Sequence, residues 1–425
     1  MQDIGIDSLT AVLTRNHLAE LTGLTLPAKI VFDHPNLKAL GQFLLPKLLE
    51  AATDLSPAPT VAVVEGSVAA PVIFGWNTAT IEKGCLDPQL RFDNAIQVAA
   101  CPKAIFITGV TGFVGAFLLH ELLELNIIAY CLVRADDVIQ ATQRLVRILE
   151  GYGLWKESYM PLINPVVGDL TQPLLGLDEE AFEKLAGRVD AICHTGALVD
   201  WMRPLEDYVG PNIISTHEVL RLASRGCCKT IAEQMVAAAR WRGAKASVYR
   251  LLFVTASTRS GHFRLDRGDF LHNLIVGGIE MGSFSSLNAD LSAVLPIDYL
   301  CKTITTMVTK GPATVGREYD FINANASSFN TFFKLVSAAS GVGEIIHFDE
   351  WRERALAWAA AKPTSSLARI SAVVDSLTEE SAATMFRCLP VDEHVFDTND
   401  CCNPLVDEQF VQKYWQRINA VRVVS

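Results

Sequence analysis

The chain has 425 residues, 50% of them hydrophobic and 20% charged. That allows one large domain plus a smaller unit and excludes the composition of a disordered polymer. A formal net charge of -11, with no lysine/arginine block able to neutralise a row of phosphates, argues against nucleic acid as a partner.

Residues 1–20 lack the basic-then-apolar order of an export signal. The most apolar linker stretch, Val61 to Phe74, is broken by Glu65, Gly66 and Pro71, so neither secretion nor membrane spanning is indicated, and a cytoplasmic location is expected. The ten cysteines are adjacent only at Cys227, Cys228 and Cys401, Cys402, and never take the paired CxxC spacing of a zinc site. Free buried thiols in a reducing compartment, with no metal, are the expectation.

Leu9, Val12 and Leu13 recur at helical spacing, Pro27 opens a second short segment, and Pro35 opens a third containing Leu37, Leu40 and Leu44. Residues 1–50 therefore predict a small all-α unit. Residues 51–100, rich in Ala, Pro, Val and Thr, read as a linker followed by a docking segment around Leu86, Asp87 and Pro88. After Lys103, short β runs alternate with amphipathic helices: Ala104 to Thr108, Phe113 to Leu125, Ile128 to Val133 and Ala141 to Glu150. Further strands are predicted at Asn164 to Val167, Ala191 to His194 and Ser247 to Leu252. Such alternation predicts an α/β fold, a Rossmann-type doubly wound parallel sheet over residues 101–260. Residues 261–425, with helices near Phe270 to Glu280, Asp298 to Thr309 and Glu350 to Ala361, read as a substrate-binding and lid subdomain.

Ile105 to Gly115, IFITGVTGFVG, sets Gly109, Gly112 and Gly115 between a strand and a helix, with Thr111 and Phe113 in the turn. Glycines there permit a tight turn and close approach to a pyrophosphate, and the helix N-terminus offers N–H donors to the anion, so the segment is a candidate dinucleotide site. The next strand ends in CLVRADD. Arg134 stands near the place where an NAD-preferring protein carries an acid, and a guanidinium there can hold a 2'-phosphate, helped by Arg144 on the following helix. NADPH is thus the expected cofactor, with Asp136 and Asp137 as the opposing signal. A solvated helix face is the plainer reading of both arginines. Asp169 and Leu170, in VVGDL, follow a strand where carboxylate or backbone meets the adenine, or where Asp169 simply shapes a loop. In HTGALVDW, Gly196 and Ala197 would let a cofactor pass close, while His194 reads as packed rather than catalytic.

Together, ITGVTGFVGAFLLHELL, CLVRA, YGLW, PVVGDLTQPLLGL, AGRVDAICHTGALVDW and GPNIISTHEVLRLA resemble thioester-reductase domains. Such domains terminate nonribosomal peptide and polyketide synthases and occur in carboxylic acid and aminoadipate reductases. The resemblance runs from about Lys103 to Thr309 and implies an extended short-chain dehydrogenase fold that binds NADPH and releases a carrier-bound acyl or peptidyl chain as aldehyde or alcohol. GIDSLTAV followed by LTLPAKIVFDHPNLKAL resembles the latter part of an acyl or peptidyl carrier domain, implying 4'-phosphopantetheine on Ser8, an acyl- or peptidyl-carrier thioester as partner, and upstream synthase domains. Only seven residues precede Ser8, so the long first carrier helix is absent from this sequence: either the chain is cut from a longer polypeptide or its start is wrongly assigned.

The resemblance departs at the catalytic pair. In the family a tyrosine polarises the carbonyl and a lysine four residues later lowers its pKa, with a Ser or Thr on the preceding strand. Lys229 matches the lysine, but the position four before it is Arg225. The helix ending near Ala223 runs almost at once into the one containing Lys229, so no strand fits between them, and one central strand is expected to be absent. Later strands near Val248 and Val254 would have to move inward, or ladder groups would stay unpaired. Lys229 is then either a nicotinamide-ribose contact or a leftover on an exposed helix. Tyr249 and Ser257 match other family positions and are not expected to be catalysts. The reading is a thioester reductase, with a catalytically dead cofactor-binding or docking module, or a truncated gene product, as the alternative.

Overall fold

The computed structural model describes residues 30, 43–44, 47, 101–199, 206–225, 236, 239–240, 244–251, 253–264, 269–309, 316–323, 325–386 and 406–424. The chain divides into two compact units, Met1–Lys83 with Glu380–Met385, and Gly84–Glu379 with Phe386–Ser425. The carrier segment and Ser8 lie outside the described residues, so the account that follows concerns the second unit.

Its centre is a four-stranded parallel sheet in the order β3-β2-β1-β4, built from β1 (Ala104–Thr108), β2 (Ile128–Val133), β3 (Ile163–Val167) and β4 (Ala191–His194). Every residue of β1 is buried, as expected of a central parallel strand covered on both faces. Ile105 and Ile107 pack on one face with α1 (Phe113–Glu124) and α2 (Val138–Gly151), while Phe106 packs on the other with α3 (Glu179–Ala186) and α4 (Ser215–Arg225). The fold is therefore the doubly wound α/β type anticipated from the alternation. Side-chain caps start two of these helices: Asp137 accepts from the Gln140 N–H at 2.7 Å, and Asp178 from Ala181 N–H at 2.7 Å.

Beyond β4 the strands do not close up. β5 (Val248–Arg250) pairs in parallel with β9 (Glu318–Asp320), and β6 (Phe253–Thr255) with β8 (Val294–Pro296). Neither β5 nor β6 is hydrogen-bonded to β4 among the described residues, so the expected inward move is corrected. Ion pairs accompany the pairing of β5 with β9. Glu318 on β9 binds Arg240 at 3.0 Å and Arg250 of β5 at 2.5 Å, and Arg240 also donates to the carbonyls of Ala246 and Arg317. Val248 still packs in the core that holds Ile192 of β4, so apolar contact survives where the ladder does not.

Further elements include α5 (Phe270–Met281), β7 (Ser283–Ser285), α6 (Ile297–Thr309), α7 (Phe329–Ser340), β10 (Glu344–Ile346), which pairs with β7, α8 (Phe348–Ala361) and α9 (Glu408–Val424). Stacked and tilted rings of Phe253, Phe386, Phe329, Phe333 and Phe284, with centroids 4.5–5.2 Å apart along the chain of contacts, form a second core. Asp298, 5% exposed in the first turn of α6, ties this region to the loop after β6. Its carboxylate accepts from the Ser257 hydroxyl at 3.1 Å, the Thr258 hydroxyl at 2.8 Å, and the N–H groups of Thr258 and Arg259 at 3.2 Å. Ser257 is thus a loop-forming residue, as expected of a position not matched to the catalyst. Replacing Asp298 with alanine strands these donors in a buried site and is expected to cost about 2–3 kcal/mol of stability, measurable as a lowered urea midpoint with unchanged slope.

Candidate functional site: a dinucleotide cradle

The turn between β1 and α1 is shaped by close backbone approach. Gly109 has φ +70°, and a Cβ there would stand 2.6 Å from the Thr195 carbonyl carbon and Gly196 N. A Cβ on Gly115 would stand 2.1 Å from the Gly109 oxygen, so the third glycine lets helix and turn meet. Gly112 differs. It caps α1 without a side chain, its N–H donates to Gly109 O at 2.9 Å, and a Cβ there would meet only that oxygen, at 3.2 Å. The protein leaves the space over Gly112 and the first-turn N–H groups uncovered by any side-chain cap, which is the form a pyrophosphate requires. Thr111 is half-buried in the turn, whereas the Phe113 ring packs inward against Phe117 and Tyr152, at 5.3 and 5.5 Å, leaving only its backbone to serve a ligand.

Behind the turn, Thr108 joins the ends of β1 and β4. Its hydroxyl lies 2.7 Å from His194 Nδ1 and accepts from the Gly196 N–H at 3.2 Å, and its carbonyl accepts from the Thr195 hydroxyl at 2.7 Å. His194 Nε2 lies 3.4 and 3.5 Å from the hydroxyls of Ser215 and Thr216, which themselves donate to the carbonyls of Pro211 and Asn212. The network is satisfied by the neutral tautomer with its proton on Nε2 and the Thr108 hydroxyl donating to Nδ1. Burial lowers the His194 pKa to about 4, so it is a packed strut, as the sequence suggested.

Arg134 is exposed at the end of β2, and Arg144, half-buried on α2, donates to its carbonyl oxygen at 2.8 Å. Asp136 and Asp137 are engaged elsewhere: Asp136 exchanges bonds with Gln140 at 2.9 and 3.0 Å, and Asp137 is the α2 cap. Among the described residues no carboxylate is paired with Arg134. One guanidinium therefore stands open beside the cradle while the acids that opposed an NADPH reading face the helix end.

The loop after β3 brings Asp169 and Leu170 to the same rim. Asp169 Oδ1 accepts from the Thr171 N–H and hydroxyl, both at 2.9 Å, so its carboxylate shapes the loop. Leu170 lies so close over Gly196 that a Cβ there would come within 2.3 Å of its Cδ1. Downstream, Leu174 and Leu175 adopt left-handed φ of 53° and 59°, a conformation that costs a non-glycine residue about 1–2 kcal/mol each. No sequence signal marked that turn. Thr108, Asn212, whose amide brackets the Leu198 backbone at 2.7 and 3.0 Å, and Glu218 were also passed over, because each acts through backbone contacts distant in sequence.

Lys229 lies outside the described residues. Arg225, in the place of the family tyrosine, makes an ion pair with Glu183 at 2.7 Å on the surface of α3 and α4. Tyr249 is stacked on Tyr319 at 5.6 Å, and burial pushes its hydroxyl above the ordinary range, so it too is a packing residue. Among the described residues, three of the four cysteines (Cys131, Cys193 and Cys301) are buried free thiols and Cys101 is exposed, and no helix is long and apolar enough to cross a membrane.

These features define a Rossmann-like fold of the extended short-chain dehydrogenase kind. Comparison with known proteins narrows the class. Residues 107–229 and 226–304 match the NAD-binding family described as Male sterility protein, and residues 1–44 match the phosphopantetheine attachment site. A PKS-NRPS hybrid synthetase of Aspergillus candidus is 46% identical over 453 positions, covering 99% of this chain and 18% of that protein. A linear gramicidin synthase of Brevibacillus parabrevis is 27% identical over 83% of this chain and 7% of its own length. The chain thus spans less than a fifth of these relatives. Among solved structures, the terminal R domain of the myxalamid PKS-NRPS pathway superposes with a TM-score of 0.70 at 24% identity, over 81% of this chain and 97% of that one. A thiolation-reductase di-domain from an archaeal nonribosomal peptide synthetase gives 0.56 at 15% identity, over 98% and 92%. The chain thus joins a match to a phosphopantetheine attachment site to a match to the Male sterility NAD-binding family, and its fold is that of the terminal R domains.

The buried imidazole sets a pH dependence. Below pH 6.5 the unfolded state takes up a proton that His194 in the folded protein refuses until about pH 4. Stability is therefore expected to rise by about 3 kcal/mol between pH 4 and 6.5 from this group. Urea midpoints measured across that window should show the rise, and His194→Gln should flatten it.

Proposed function

We propose that this chain binds NADPH in the cradle and uses it on an acyl or peptidyl thioester held by phosphopantetheine on Ser8, releasing the chain from upstream synthase domains as aldehyde or alcohol. The observation that carries the reading is the union, in one polypeptide, of a phosphopantetheine attachment match and a Rossmann turn with an uncapped helix N-terminus. When bound, the reduced nicotinamide supplies a hydride to the acyl carbonyl. The residues of the chain hold the cofactor. Gly112 and the first turn of α1 take the pyrophosphate, and Gly109, Gly115 and Gly196 let backbone segments meet behind it. Arg134 takes the 2'-phosphate, with Arg144 fixing its main chain, and Asp169 and Leu170 border the adenine. Lys229 contacts the nicotinamide ribose. His194 stays neutral and moves no proton.

A second reading, a module that binds the cofactor without turning over, is favoured by one specific observation. The family match breaks into two segments that meet at residues 226–229, where the sequence lacks the tyrosine and its strand. The alignment with the Aspergillus candidus synthetase also spans 453 positions, more than the 425 residues here, so that relative has residues with no counterpart in this chain.

Turnover decides between the two. With purified protein, NADPH and a short acyl-pantetheine thioester, absorbance of the reduced nicotinamide is expected to fall slowly, because a missing general acid costs about 10²–10⁴-fold. Steady absorbance despite demonstrated NADPH binding would reject turnover in favour of the second reading; absence of binding would reject both. Arg134→Ala is expected to weaken NADPH about tenfold or more while leaving NADH within about twofold, as for loss of a charge-assisted hydrogen bond. Equal losses in titrations with the two cofactors would refute the phosphate role.

A further inference from the structure

The left-handed pair Leu174 and Leu175, followed by Gly176 at φ 77°, persists only because neighbouring groups over-determine it. Burial and three hydrogen bonds do so. Leu175 is fully buried with Phe182, Leu185, Val219 and Leu220 in the core under α3 and α4. Its N–H donates to Gln172 O at 3.1 Å, and the Leu177 N–H donates to Leu174 O at 3.1 Å. The third hydrogen bond comes from another element: the Leu174 N–H donates at 2.8 Å to Oε2 of Glu218, a carboxylate 5% exposed on α4.

Glu218 is an ionised group inside the fold. Burial by itself would push its pKa up, but hydrogen bonds from His217 and the Leu174 N–H, with the charge of Arg221 at 3.8 Å, hold it below the ordinary carboxylate range. A buried carboxylate aimed at the amide of a strained leucine costs desolvation, so its contribution lies in what the turn positions.

The turn acts on the rim of the cradle. Leu175 O accepts from the Asp169 N–H at 2.8 Å, which sets the main chain of Asp169 and Leu170. Leu170 in turn lies against Gly196, whose N–H is held by the Thr108 hydroxyl behind the glycine turn. A continuous line of contacts therefore runs from Glu218 through Leu174 and Leu175 to Asp169, Leu170 and the end of β4.

We infer that Glu218 is a positioning residue for the adenosine half of the dinucleotide: by binding the Leu174 amide it holds the left-handed turn that fixes the Asp169–Leu170 segment. The inference rests on the proposed cofactor site and assigns the charge on α4 to one half of that site. It acts on neither the nicotinamide nor the acyl chain. Glu218→Gln keeps an acceptor oxygen within reach of the amide, whereas Glu218→Ala removes it. Leu174→Gly makes the left-handed conformation unstrained and so removes the need for the tie.

The test is calorimetric titration of the full chain and its variants with adenosine 2',5'-bisphosphate and, separately, with nicotinamide mononucleotide, alongside melting curves. Glu218→Ala is expected to weaken the bisphosphate about tenfold, the equivalent of one charge-assisted hydrogen bond, while leaving the mononucleotide within about twofold. Glu218→Gln is expected to stay within about twofold of the parent for both. Adding Leu174→Gly to Glu218→Ala is expected to return most of the bisphosphate affinity. Should Glu218→Ala not fold, the glutamine variant and the double variant carry the same comparison. Equal losses for both ligands, no loss for the bisphosphate, or failure of the double variant to recover affinity overturns the positioning role. A parent chain that binds neither the bisphosphate nor NADPH overturns the cofactor site itself, and the role with it.

Discussion

The hydroxyl of Thr108 is the contact on which the site depends. It sits fully buried where β1 ends, and it faces His194 Nδ1 on one side and the Gly196 N–H on the other. Because β1 and β4 are neighbours in register, with Thr108 opposite His194, this one group fixes how far apart the two following loops begin. The glycine turn then folds against the Thr195–Gly196 backbone at a distance that no side chain at Gly109 would permit. The cradle is a consequence of strand ends held together, and the imidazole's neutrality keeps the join free of a buried charge.

Around that join, the two halves of the site differ in how they are supported. The phosphate side is local: a helix N-terminus, a glycine without a cap, and an arginine whose main chain is steadied by a residue one helix further on. The proposed adenine side is assembled from three separate segments, the loop after β3, the left-handed turn and α4. Strain stored in Leu174 and Leu175 is tolerated because burial of one side chain and a carboxylate on another helix both favour the same backbone. Such an arrangement gives precision to a loop that would otherwise be free to relax.

Beyond β4 the sheet gains no further strand among the described residues. A parallel sheet gains stability from every added strand, yet β5 and β6 take β9 and β8 as partners and leave β4 at the sheet's margin among the described residues. The ion pairs of Glu318 with Arg240 and Arg250 hold β9 against β5. At the end of α4, Arg225 is engaged with Glu183.

Local pattern determined a great deal. The continuous apolar run of Ala104–Thr108, the alternation of strands and helices and the glycine spacing follow from short-range rules, and β1, β2 and β4 fall where those rules place them. That no tyrosine stands four residues before Lys229 is equally a matter of order along the chain. Tertiary structure alone decided that Phe113 turns inward, that Asp136 and Asp137 serve a helix end, and that β5 and β6 pair with β9 and β8. It alone revealed the pairing of Glu218 with a leucine amide 44 residues away. These outcomes depend on which distant groups compete for the same hydrogen bond or the same cavity, and that competition exists only once the chain has folded.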